Sequence, residues 1–318
     1  GDSVRFRNNY FKKTGWKGAF RVSGSDSVQI LDNRIENTVY FGIQITGTPT
    51  NIDIIDNNLS EIGGYRDAGD GSGVGCVGIY ITNSAPEEVR VFNNSIENVV
   101  ENGIEGGAII IGNMVKTTGY RYASLPTPST SGIYPGNGST VIGNTIVDAH
   151  RYGIYFYNNA GDITDMTVRS NRVENPSQGI AQKGISLNVS GAGNTMERCV
   201  VSDNTVIDSD GNSDYGVYVY AGNNATLSST VSVTNNSVTG TYNTATHLIS
   251  GGTQLIWGNS WQAPTEDNGD NATSGTGEDD LASSSVVADS IGPTGRMRVL
   301  ATGTVADAAS GNKTIKLY

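Results

Sequence analysis

One template recurs ten times along this chain, in the segments VRFRNNYF, VQILDNRI, IDIIDNNL, VRVFNNSI, AIIIGNMV, STVIGNTI, MTVRSNRV, CVVSDNTV, VSVTNNSV and QLIWGNSW. Apolar residues stand before and after an Asn: Asn9, Asn33, Asn57, Asn94, Asn113, Asn144, Asn171, Asn204, Asn236 and Asn259 in turn. A second signature follows most of them, a Gly and then alternating apolar residues, read as GAFRV from Gly18, GIQI from Gly42, GIYI from Gly78, GIEG from Gly103, GIYP from Gly132, GIYF from Gly153, GISL from Gly184 and GVYV from Gly216. Two strand signals per repeat, at intervals of 19 to 37 residues, describe a solenoid in which each coil packs on the next. The 42 Gly and only 8 Pro of the 318 residues, with abundant Asn, Ser and Thr, agree with many turns and short strands rather than helices.

The predicted architecture is therefore all-β, a right-handed parallel β-helix of about ten coils over 1–261. In such a stack each Asn fills an inward corner and hydrogen-bonds its neighbours above and below, satisfying backbone groups that the turn leaves open. The short intervals approach a minimal coil, and the long ones extrude loops. The extra residues, 63–75, 119–131, 176–183 and 208–215, mostly fall between the Asn corner and the Gly strand and so emerge on one side.

Charge narrows the partners. With 20 Lys and Arg against 31 Asp and Glu, the net charge of -11 argues against nucleic acid or an anionic membrane. No stretch is apolar enough to span a bilayer. Cys76 and Cys199 fall five coils apart, about 24 Å at about 4.8 Å per coil, too far for a disulfide whose Cα atoms lie about 6 Å apart. Cys199 takes an inward core position. His150 and His247 are the only histidines, no His/Cys cluster has metal-ligand spacing, and no cofactor is implied.

Past residue 262 the repeat stops. Residues 262–284 read as an acidic, glycine-rich linker, and 285–318 as the beginning of a C-terminal β domain, cut short, too small for a core of its own. The N-x-[IV] and G-[IV]-x-[IV] repeats of 3–261 resemble the pectate-lyase-like β-helix superfamily. The linker and the final GRMRVLATGT and NKTIKLY are similar to the small C-terminal β domains of bacteriophage tail and tailspike proteins. The resemblance implies a polysaccharide substrate, a virion or extracellular setting and a homotrimer, without fixing the reaction, since the superfamily holds lyases, hydrolases and epimerases.

In the Gly strands the x residue should face solvent. From coil to coil it reads Phe20, Gln44, Tyr80, Glu105, Tyr134, Tyr155, Ser186 and Tyr218, an aromatic ladder interrupted by one carboxylate. Tyrosine offers sugar rings a flat apolar face and a hydroxyl. Aromatic pairs also stabilise sheet surfaces without binding anything, but the long loops flank these same strands. Glu105, between Tyr80 and Tyr134, is a candidate general acid, because aromatic neighbours desolvate a carboxyl and raise its pKa. Glu101 lies about 13 Å away along an extended strand, too far to be a direct partner unless the chain bends, so Asp67 and Asp70 of the preceding insertion are the better-placed candidate bases, although DAGDG is also ordinary turn chemistry.

A second constellation is DAHRYG, with Asp148, His150, Arg151 and Tyr152, joined by Tyr120, Arg121 and Tyr122 one coil earlier and Lys183 one coil later. Cations to neutralise a uronate and a Tyr, His or Lys to abstract its C5 proton are what β-elimination needs, and a solvated turn with an ion pair would look the same. The open readings are thus a glycoside hydrolase, a polysaccharide lyase and a non-catalytic glycan-binding tail fibre. On the other strand, two residues before each ladder Asn, stand Arg7, Leu31, Ile55, Phe92, Ile111, Ile142, Arg169, Ser202 and Thr234. Five large apolar residues in successive coils make an outward stripe of about 19 Å, expected either to form the trimer contact or to be covered by the chain after 262.

Overall fold

The computed structural model of the chain describes residues 3–261 apart from 15–17, 25, 49, 64–75, 83–85, 120–129, 180–181, 251–254 and 258–259. The linker and C-terminal β domain expected from residue 262 onward lie outside the described residues, as does Asn259. Three long sheets account for nearly all the strands. Two have ten strands and one has nine, and every strand pairs in parallel with its equivalent one coil away. The first sheet holds the strands before the ladder Asn, from Val4–Arg7 to Leu255–Trp257, and the second those after it, from Tyr10–Lys12 to Ser260–Trp261. The third holds the Gly strands, from Phe20–Ser23 to Ala245–Ser250. This is the parallel β-helix that the repeat predicts.

Each sheet sends one apolar row inward. Ile54, Val91 and Ile110 of the first, Leu59, Ile96 and Val115 of the second, and Ile79, Ile104 and Ile133 of the third are all fully buried. At about 1.5–3 kcal/mol for each such side chain, as an upper estimate, these rows supply the main drive for stacking. The corners are set by backbone that alternation alone does not reveal. The residue before each ladder Asn takes a left-handed conformation, at Asp32, Asp56, Asn93, Gly112, Gly143, Ser170 and Asp203, with φ between 53° and 68°. Asp, Asn and Gly accept that conformation at low cost, which explains why the ladder reads DN, NN or GN everywhere but at Ser170. A second left-handed row, Asn37, Glu61, Asn98, Thr117 and Asp148, interrupts the second-sheet strands. It shifts the alternation by one, so that Ile96 and Val99 both point inward.

The ladder itself behaves as predicted from Asn33 to Asn236, each 1% exposed or less. At Asn57 the backbone N–H and the side-chain amide both donate to Oδ1 of Asn94 at 2.9 Å, and the amide also donates to the Ile30 carbonyl at 2.8 Å. Asn94, Asn113, Asn144, Asn171 and Asn204 repeat the pattern. The repeat glycines have a different reason. A Cβ on Gly103 would fall 2.3 Å from Cγ1 of Val115 and 2.6 Å from the Gly132 carbonyl oxygen, and one on Gly132 would fall 2.3 Å from Cγ2 of Ile146. The inward residue of the second sheet occupies the place a side chain would need.

Two features depart from the sequence reading. A small fourth sheet, Ile163–Thr164, Thr195–Glu197 and Thr226–Leu227, lies between the third-sheet strands and the next first-sheet strands, on the path opposite the predicted insertions. Its strands are too short to show alternation in sequence. In the first full coil the strand is displaced by one residue: Phe20 pairs with Ile43 and Arg21 with Gln44. Phe20 is therefore a core residue, 6% exposed, and Arg21 is the outward one, because Ala19 rather than Gly18 holds the repeat-glycine place.

Candidate functional site

From Gln44 onward the outward row of the third sheet runs in the predicted register. Gln44 pairs with Tyr80, Tyr80 with Glu105, Glu105 with Tyr134, Tyr155 with Ser186 and Ser186 with Tyr218. The Tyr134 and Tyr155 rings lie 5.6 Å apart. Tyr80, Glu105, Tyr134, Tyr155 and Tyr218 are all half-buried and none belongs to the core, so the face exists as one strip. Further rings stand three residues before the ladder. Tyr152 stacks on Tyr155 at 3.9 Å, Tyr215 lies 5.1 Å from Tyr218, and Phe41 stacks on Tyr80 at 4.9 Å. Ser186 is the exception, outward in register but only 1% exposed.

Glu105 is the one carboxylate in the strip. Burial between Tyr80 and Tyr134 pushes its carboxyl above the ordinary range, and a hydrogen bond donated by Asn102 to Oε2 at 2.8 Å opposes that shift. Asn102 is itself buried and fixed, since its Oδ1 accepts the Ser131 N–H at 2.6 Å. The phenols of Tyr80 and Tyr134 are raised, first by burial and then by the Glu105 charge. Glu101 also acts on Tyr80, and its Oε2 accepts the Cys76 N–H at 3.0 Å, so it is anchored near the same ring. The extended-strand spacing does not hold here, because the chain turns a corner between the strands Ser95–Val99 and Ile104–Gly106. Asp67 and Asp70 lie outside the described residues.

The DAHRYG segment divides between corner and face. His150 is 8% exposed, and its ring lies where a Cβ on Gly179 of the next coil would stand, 1.7 Å from Cε1. Burial, then the Arg151 charge, lowers its pKa, leaving a neutral imidazole at neutral pH. Arg151 is half-buried, and among the described residues no carboxylate reaches it. Tyr152 is also buried, at 9% exposure, stacked behind the face ring of Tyr155, and its hydroxyl donates to Oε1 of Gln182 at 2.6 Å, an acceptor it shares with Nζ of Lys183 at 3.1 Å. Arg121 and Tyr122 lie outside the described residues.

The first-sheet stripe is also in register, Leu31 on Ile55, Ile55 on Phe92, Phe92 on Ile111 and Ile111 on Ile142, with every member half-buried. Cys76 and Cys199 are buried free thiols. Burial pushes the Cys199 thiol up to about 11, which suits packing rather than reactivity.

Compared with known proteins, residues 1–115 and 129–229 match the family model described as a right-handed beta helix region. No curated protein matches the chain.

Proposed function

The chain belongs to the right-handed β-helix region family, and from that premise we propose that the third-sheet face binds a polysaccharide and cleaves it by hydrolysis, with Glu105 as the general acid. This fold is common among polysaccharide-degrading enzymes. The observation that carries the reading is the Glu105 carboxyl itself. It is half-buried in a tyrosine strip, its pKa is raised by burial, and Asn102 holds one of its oxygens. A carboxyl whose pKa is raised by burial gives up its proton to a glycosidic oxygen more readily than it gives it to water, and the flanking rings would seat the sugars on either side. Asp67 or Asp70 remains the proposed base. Product analysis over a panel of cell-surface and extracellular polysaccharides tests the mechanism: new reducing ends without unsaturated sugars support hydrolysis, and unsaturated ends overturn it in favour of elimination.

One observation favours the lyase as second reading. Arg151 acts on the phenol of Tyr152, and Lys183 lies beside the same ring, so cations and a candidate base meet on the face. Bound but uncleaved glycan in the same panel would leave a receptor-binding fibre instead. We also propose that Leu31, Ile55, Phe92, Ile111 and Ile142 form the contact of a parallel homotrimer in a virion tail or extracellular setting. Phe92→Asp with Ile111→Asp should then yield monomers by light scattering, since each places a charge in a desolvated contact.

A further inference from the structure

A half-buried ammonium stands on the third sheet with no carboxylate within ion-pair distance among the described residues. Nζ of Lys183 lies 5.8 Å from the centre of the Tyr152 ring and 5.1 Å from that of Tyr218. Tyr152 belongs to the coil before Lys183 and Tyr218 to the coil after it. The ammonium therefore lies over its own coil, whose ladder residue is Ser186. Ser186 faces outward yet is 1% exposed, in register between Tyr155 and Tyr218. Where the ladder lacks a phenol, the neighbouring group is a positive charge.

An ammonium has three N–H donors. One is directed at Oε1 of Gln182, an acceptor already taken up by the Tyr152 hydroxyl, and the described residues supply no hydrogen-bond acceptor for the other two. Asp214 is close enough to be felt by both Lys183 and Tyr152 but makes no ion pair. Burial works against the charge on Lys183 and keeps the surrounding phenols protonated, the Tyr218 phenol being pushed up to about 12. The local chemistry is thus a desolvated cation among hydroxyl donors, on a molecule whose net charge is -11. Such a spot is complementary to an anion that brings its own apolar ring.

We infer that Lys183, beside the half-buried rings of Tyr155 and Tyr218, forms a subsite for a sugar bearing an anionic group, a carboxylate or a sulfate ester. The sugar ring packs on the ring surface that Tyr152 and Lys183 leave uncovered, and the anion meets the N–H donors for which the described residues supply no acceptor. The inference rests on the carbohydrate reading of this face and adds the charge class of the glycan. It holds whether the chain cleaves its ligand or only binds it.

The test follows the Lys183 side-chain NMR signal, identified by its loss in Lys183→Met, in the full chain at neutral pH and constant ionic strength. Methyl glucuronoside, methyl glucoside 6-sulfate and neutral methyl glucoside are titrated separately. A saturable shift with one anionic sugar and none with the neutral one is the expected result, and whichever anion saturates the signal identifies the group. Lys183→Met should weaken binding of that sugar by about ten- to a hundredfold, the range for one charged hydrogen-bonding partner, while Lys183→Arg keeps it within a few fold. Unchanged melting of both variants shows that the coil stack is intact. Equal response to neutral and anionic sugars, no saturable response to either anion, or wild-type affinity in Lys183→Met overturns the subsite. The product analysis on polysaccharides is unaffected by that outcome, so the two readings fail separately.

Discussion

The asparagine corner and the tyrosine face are both rows that climb the same cylinder, yet they are composed on opposite rules. The corner repeats one residue without variation from Asn33 to Asn236, and each amide does the same work for its neighbours. The face never settles on one residue: Gln44, Tyr80, Glu105, Tyr134, Tyr155, Ser186 and Tyr218 follow one another in register. A position that every coil needs is filled identically, whereas a position free to vary is where one coil can differ chemically from the next. Uniformity therefore marks what holds the solenoid together, and variation marks where a ligand could be read.

The sharpest way to break this contrast is to exchange the costs of the two rows. Asn113→Ala removes the acceptor of both Asn94 donors and leaves buried polar groups of two adjoining coils unpaired. The expected loss is about 3–5 kcal/mol in urea unfolding, and a loss below about 1 kcal/mol would make the ladder dispensable. Glu105→Gln should lower hydrolysis by about a hundredfold or more with the fold intact, measured as reducing-end release on whichever polysaccharide the panel identifies. Full activity would move the acid elsewhere. Tyr155→Ala should weaken glycan binding by about tenfold, read by calorimetry, with little change in melting temperature, because the ring packs on Tyr134 and Tyr152 rather than in the core.

The smallest effect concerns stability and pH. Folding raises the pKa of Glu105, so the folded chain binds its proton more tightly than the unfolded chain does. Stability contributed by this group is present below the unfolded value and declines as pH rises through the folded one. Glu105→Gln, which cannot ionise, should melt slightly above the unmodified protein at neutral pH, by about 0.5 kcal/mol or less, and the difference should vanish in acid. A larger difference in acid than at neutral pH would reverse the sign and deny the burial.

Periodic features were legible in the sequence because each is repeated by a physical necessity. The ladder Asn, the inward rows and the outward register of Tyr80 to Tyr218 all follow from spacing. Where repetition is weak, spacing misleads: it puts Gly18 in the repeat-glycine place and Phe20 outside, although Phe20 fills an isoleucine site. Non-periodic contacts could not be seen at all. Nothing in DAHRYG says that His150 packs in the corner against Gly179 while Tyr152 stacks on Tyr155, and nothing in VENGIEG says that Asn102 holds Glu105. Those depend on which coil lies above and how the strand turns, knowledge that lives in the stack rather than in the segment.

The corner has one more consequence, for how such a chain can change. Asn57 and Asn94 are separated by 37 residues and Asn94 and Asn113 by 19, yet their amide contacts are 2.9 and 3.0 Å. Contour length is thus decoupled from rise, and closing a longer loop costs only about 0.6 kcal/mol per doubling. A gene encoding this protein can lengthen the segment after the second-sheet strand while the scaffold registers almost no difference. One coil can therefore change in length without altering its neighbours, as on a rack whose shelves are interchangeable but whose uprights are fixed.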